Sequence, residues 1–229
     1  MAERFTGFPR AGIEFFEQLA AHNDRDWFAA HKDVYEHACR APMLALVAEL
    51  EPRFGPARLS RIHRDRRFHR DRPPYKTYIA AGVGGRYISL SAAGLYVGGG
   101  FREPDPARLK RFRASIDDET TGRQLEAIVR VLRRKGYDVD SHETLASAPR
   151  GYAVGHPRIG LLRMKDIFAG RVFAPATWLT TAKARARIER VMTDTGPLVR
   201  WLQRHVLGGE AGTPKGGRRA VLTSSRKRT

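Results

Sequence analysis

Between Arg58 and Lys76 the chain sets eight arginine and lysine side chains beside two carboxylates, Asp65 and Asp71, with Phe68 and Tyr75 among them. A buried guanidinium or ammonium must replace its lost hydration with a partner, so a segment this charged belongs to a surface or a cleft. Aromatic and β-branched residues interrupt the charges, unlike the low-hydrophobicity sequences that stay disordered. The chemistry offered is anion recognition. Arg67 and Lys76 are the expected ligands, Asp65 orients a guanidinium through a bidentate pair, and Arg64 and Tyr75 stand beside them. On an extended chain Arg64 and Arg66 point to one side, Asp65 and Arg67 to the other. Asp71 suits a cap on the turn before Pro73-Pro74. The same residues also make an ion-pair lattice that pins a loop between strands, and that alternative stays open.

Asn23 and Arg25 form a second candidate, because a helix start presents free amides to an anion and Arg25 adds charge there. His63, His69 and His156 are the candidates for proton transfer, imidazole being the side-chain type suited to it near working pH. No serine or cysteine stands in a recognisable nucleophile elbow. No His-x-x-x-His pair comes with an acidic third ligand, so neither a resident metal nor a cofactor is expected. Magnesium would enter only with a bound phosphate. The lone cysteine, Cys39, excludes an intramolecular disulfide and reads as a small packed side chain on a helix. Trp27 and Phe28 read as core anchors.

These residues need elements to position them. Ile13, Phe15, Phe16 and Leu19 mark a helix over 11–21. Asn23 or Asp24 caps a second helix carrying Trp27, Phe28, His31, Val34, Tyr35 and Ala38. Pro42 opens a third, with Met43, Leu44, Leu46, Val47 and Leu50 inward. Strands are expected at 61–64, 76–83, 87–91 and 94–99, joined at Gly84-Gly85 and Ala92-Ala93-Gly94 as an antiparallel meander. The glycines of the last strand mark close backbone approach or a bulge. Asp105-Pro106 begins another helix, a further one stops near Gly136, and His156-Pro157 opens a short one. The last helical stretch runs over about 180–206, broken near Gly196 by Pro197.

The 229 residues carry a formal net charge of +18, which draws nucleic acid or phosphorylated ligands without selecting between them. The segment 207–229 holds six basic side chains against Glu210 alone and lacks periodicity, so a disordered basic tail is expected after a domain over 1–206. An arginine- and alanine-favouring lineage explains part of the excess. No apolar run approaches the ~18 residues of a membrane span, and the N-terminus has no signal-peptide core, so a cytoplasmic protein without a membrane partner is expected. Nothing in the sequence sets the oligomeric state.

Three blocks carry a family resemblance. They are Phe15 to Leu19 through Asn23-Asp24-Arg25-Asp26-Trp27-Phe28 to Lys32 and Tyr35; Arg61-Ile62 with Arg64 to Phe68, Asp71 and Pro74-Tyr75-Lys76; and Pro149-Arg150-Gly151-Tyr152 with His156-Pro157 and Leu161-Leu162. On these the chain resembles a conserved family catalogued as domain of unknown function 2461, over most of its length from Phe5 to about Val206. His63, His69 and Arg72 depart from the family's usual residues. The resemblance implies one compact domain of mixed α and β structure and no particular activity, cofactor or substrate.

The fold expected is therefore α+β, a single domain with a central antiparallel sheet packed by N-terminal and C-terminal helices. The leading function is a binding domain for a phosphorylated or nucleic-acid ligand through the Arg64–Lys76 surface. One alternative is an enzyme on an anionic small substrate, with Asp65 or a histidine moving a proton. The other is a scaffold whose charges pair internally.

Overall fold

In chain order the elements are α1 (Arg10–Ala21), α2 (Arg25–Ala30), α3 (Lys32–Val34), a π-helical segment (Tyr35–Arg40) and α4 (Ala41–Phe54). Strands β1 (Ala57–Leu59), β2 (Tyr78–Val83), β3 (Arg86–Ser91) and β4 (Gly94–Phe101) follow. Then come α5 (Pro106–Asp117), α6 (Glu119–Arg134), β5 (Asp138–Asp140), α7 (Ile159–Leu162), β6 (Ile167–Phe173), a 3-10 turn (Thr177–Thr180), α8 (Lys183–Asp194) and α9 (Gly196–His205). The structure, a computed structural model, describes residues 4–64, 72–102 and 104–208. Asp65, Arg67, His69 and Asp71 lie outside the described residues, as does the expected tail from residue 209 onward. Leu207, assigned to that tail by its sequence, is buried.

The fold is α+β, as expected. Among the described residues the strands form one antiparallel sheet in the order β1-β2-β3-β4-β6-β5. Alternation decides how it is used. Ile79, Ala81, Val83, Ile88, Leu90, Leu95, Val97, Ile167 and Ala169 share one face and join the core. Against that face pack apolar stripes such as Phe15, Phe16 and Leu19 of α1, Leu46 and Leu50 of α4, and Leu198 and Leu202 of α9. Helices from both ends of the chain thus cover one side of the sheet.

Several local signals act as their chemistry requires. The Asp24 carboxylate accepts from Trp27 N at 2.9 Å and Asp105 from Arg108 N at 2.8 Å, each satisfying a helix-start amide. Gly84 and Gly85, with φ of 51° and 80°, make the two-residue hairpin turn that joins Val83 to its partner Arg86. Thr195 ends α8 and Pro197 lies in the first turn of α9, so the C-terminal stretch breaks where Pro197 indicated.

The first strand differs from expectation. The ladder begins at Ala57–Leu59, and 61–64 contributes only the isolated bridge His63↔Tyr75. The charged side chains there cannot be buried on both sides, so the pair leaves the sheet as a short ribbon. Its bonds are Arg64 N to Pro74 O at 2.8 Å and Lys76 N to Ile62 O at 2.9 Å.

Cys39 is fully buried, with Sγ 3.5 Å from Gly12 O, and burial pushes its thiol up to about 12. Native protein at pH 8 is therefore expected to react with DTNB on the order of a hundredfold slower than urea-unfolded protein. Rapid native labelling would show that the contact between α1 and the π-helical segment opens readily.

Candidate functional site

The opposite face of the sheet contributes nothing to the core cluster. By register it carries Tyr78, Ala80 and Gly82 of β2; Tyr87, Ser89 and Ser91 of β3; Tyr96, Gly98 and Gly100 of β4; and Phe168 and Gly170 of β6. Three tyrosines and four glycines replace the aliphatic residues of the core side. Two of the four glycines have a steric reason in Tyr96. A Cβ on Gly98 would lie 2.6 Å from the Tyr96 hydroxyl and one on Gly170 2.4 Å from it, so Tyr96 lies down over both. The Tyr87 and Tyr96 ring centroids are 6.1 Å apart.

Hydrogen bonds join Tyr87 to Tyr78 and to Ser89. Burial raises the pKa of all three phenols, that of Tyr96 to about 12, and the Arg102 guanidinium pulls each of them back. Arg64 acts on Tyr78 in the same sense. Arg102 also stands over the Phe168 ring, 4.8 Å from its centroid. The charges of two arginines on different elements thus bear on these phenols: Arg64, on the ribbon, on Tyr78, and Arg102, just past the end of β4, on all three.

Lys76 adds a third cation. Its Nζ donates to Arg61 O at 2.7 Å, and burial, then the charges of Arg64 and Arg61, pushes its ammonium below the usual lysine range. Like charge is being held together at the root of the ribbon.

The other residues read from sequence fall elsewhere. Asn23 clamps the Tyr75 backbone in both directions, Nδ2 to Tyr75 O at 3.1 Å and Tyr75 N to Oδ1 at 3.0 Å. Tyr75 is buried and stacked on Phe28 at 4.1 Å, so it anchors the ribbon to the core. Arg25 is exposed at the start of α2, where the Asp24 carboxylate already takes an amide. His63 packs against Tyr75, 5.0 Å between centroids. His156 uses both ring nitrogens, accepting from Arg158 N at 3.0 Å and facing Asp117 at 3.2 Å.

Sequence reasoning missed Tyr78, Tyr87, Tyr96 and Arg102: the tyrosines recur every nine residues on three successive strands, and they and Arg102 come together as a candidate site only through register. It also missed Asp166, which is buried and accepts from Ser141 Oγ, His142 N and His142 Nδ1 at 2.8, 2.8 and 3.1 Å. His142 then packs on Phe168 at 4.8 Å, on the rim of the same face. Among the described residues no group of three or more His, Cys, Asp or Glu is arranged to hold a metal ion. No described helix is long and apolar enough to cross a membrane.

An α+β domain with one face of its sheet left to tyrosines and arginines is the class these features define. The chain belongs to the conserved hypothetical protein family DUF2461, whose family model matches residues 11–201. Neither the curated proteins nor the solved structures contain a match.

Proposed function

We propose that the chain is a binding domain for a phosphorylated small molecule, held where the ribbon of residues 61–64 and 74–76 meets the tyrosine face of the sheet. Arg64, Lys76 and Arg102 supply the charge, and the hydroxyls of Tyr78, Tyr87 and Ser89 supply oriented dipoles. The observation that carries this reading is that Arg102, seated over Phe168, and Arg64 of the ribbon both bear electrostatically on the phenols of a face the core does not use. A bound phosphate would offset the crowding of Arg61, Arg64 and Lys76, and charge-assisted bonds of this kind are the strong ones.

The test uses inorganic pyrophosphate at constant ionic strength, with chloride as reference. Pyrophosphate should raise the melting temperature more than chloride does, and Arg64→Ala with Lys76→Ala should weaken its binding about tenfold or more. Arg64 and Lys76 also bond ribbon carbonyls. Arg102→Ala, off the ribbon, is therefore the second variant and should weaken binding similarly. An equal pyrophosphate effect in both variants would refute the reading, as would tight binding confined to single-stranded oligonucleotides.

Proton linkage gives an independent readout. Free Lys76 titrates below its usual range, and an adjacent anion raises it again. Between those two values binding takes up a proton, so affinity falls as pH rises through the window. Lys76→Arg, always charged, should flatten that slope.

A further inference from the structure

A second basic region stands on the other flank of the molecule, where β5 pairs only residues 168–170 of β6 and leaves 171–173 beyond its end. There a groove of about 700 Å³ opens between the end of β6 and α8. Its apolar surface comes from Phe173, Val191 and the ring of Tyr137. Phe173 packs edge-on against Trp178 at 5.3 Å.

The cations of the groove divide into two kinds. Lys135 and Arg171 are tied down. Lys135 Nζ pairs with Asp194 at 2.5 Å, and Arg171 donates to Lys135 O at 2.6 Å and Gly136 O at 3.0 Å while lying 4.8 Å over Tyr137. Burial would raise the Asp194 carboxyl. Hydrogen bonds from Lys135 and Tyr137 and the charges of Lys135 and Arg190 hold it below its usual range, so it stays ionised and cancels Lys135.

Arg187 and Arg190 are different. They sit three apart on α8, on one side of the groove, and both are exposed. Arg187 lies over the Trp178 ring at 4.7 Å. Among the described residues neither has a carboxylate within ion-pair distance, although the Arg190 charge is felt by Asp194. What remains after pairing is Arg171, Arg187 and Arg190 around an aromatic, apolar slot large enough for a small molecule. The basic segment 209–229 has the wrong sign of charge to fill it.

We infer that this groove is a binding site for a small phosphorylated aromatic, the chemistry of a nucleoside monophosphate. The flat ring lies against Phe173 and Val191, and the dianion meets the α8 arginines. This site shares no residue with the one proposed above.

The test titrates wild-type protein with AMP, adenosine and inorganic phosphate at fixed ionic strength, following heat and tryptophan fluorescence. AMP is expected to bind with a Kd below about 1 mM, and adenosine or phosphate alone about tenfold more weakly or worse. Arg187→Ala with Arg190→Ala should lose about tenfold or more of the AMP affinity. Because both side chains are exposed, the fold should persist, and Arg190→Glu serves as a second variant that reverses the charge. Arg64→Ala with Lys76→Ala should leave AMP binding unchanged, which separates this site from the ribbon site. AMP affinity equal to that of phosphate, insensitive to the α8 variants, or lost with the ribbon variant would each overturn the inference.

Discussion

Replacing Arg158 with methionine is expected to remove about 3 kcal/mol of stability, read as a lower urea midpoint at unchanged slope. Arg158 is 5% exposed. Its guanidinium donates to Ile116 O at 2.7 Å, to Asp117 O at 3.0 Å and to Glu119 at 2.9 Å. The first two acceptors are the final carbonyls of α5, which have no partner within the helix, so one side chain caps α5 and ties it to α6. Methionine keeps much of the aliphatic volume and removes every donor. Each buried carbonyl left unpaired costs about 1–3 kcal/mol. Glu119 limits the loss: its side chain is 61% exposed and returns to water, so the larger penalty of a stranded buried charge does not apply. Arg158→Lys should recover only part, because one ammonium cannot span three acceptors. A loss below about 1 kcal/mol would mean that water replaces the guanidinium and that the cap is not structural.

What could be seen in advance was local. Asp24, Asp105-Pro106, Gly84-Gly85 and Pro197 act within a few residues of themselves, and each appears where its chemistry demands. The end of the sheet could not be seen in the same way. In β5 only Val139 points to the core, and Ile167–Phe173 is an apolar run that fits a helix or a strand equally. Its pairing with β4 is made across more than seventy residues of chain, as in Gly98↔Gly170. The candidate site divides along the same line. Lys76 and Arg64 were visible as charge. Tyr75 and Asn23 were named as ligands for standing among charges; the contacts that give one to the core and the other to a backbone clamp are made across long stretches of chain. Tyr78, Tyr87 and Tyr96 converge only once the strand register is set.

That register carries the second large effect. Gly98→Ala is expected to destabilise the protein by about 2 kcal/mol, although alanine in an extended strand should by itself gain about 0.5–1 kcal/mol over glycine. The added methyl would meet Ala169 O at 2.6 Å, the Tyr96 hydroxyl at 2.6 Å and Gly170 Cα at 3.0 Å. The hydroxyl can swing away at the cost of its seat on the sheet. The carbonyl cannot, because it belongs to the strand paired with β4. The two obstructions are therefore separable. In a Tyr96→Phe background the same substitution should cost less but not nothing, the remainder being the backbone term. Pyrophosphate binding should weaken in Gly98→Ala and stay weakened at temperatures where the fold is intact, since a displaced Tyr96 disturbs the neighbours of Arg102. Equal stability of wild type and Gly98→Ala would show that β4 and β6 are free to part at this point. The glycines of β4 would then mark flexibility rather than the close seating of a tyrosine that the proposed ligand face requires.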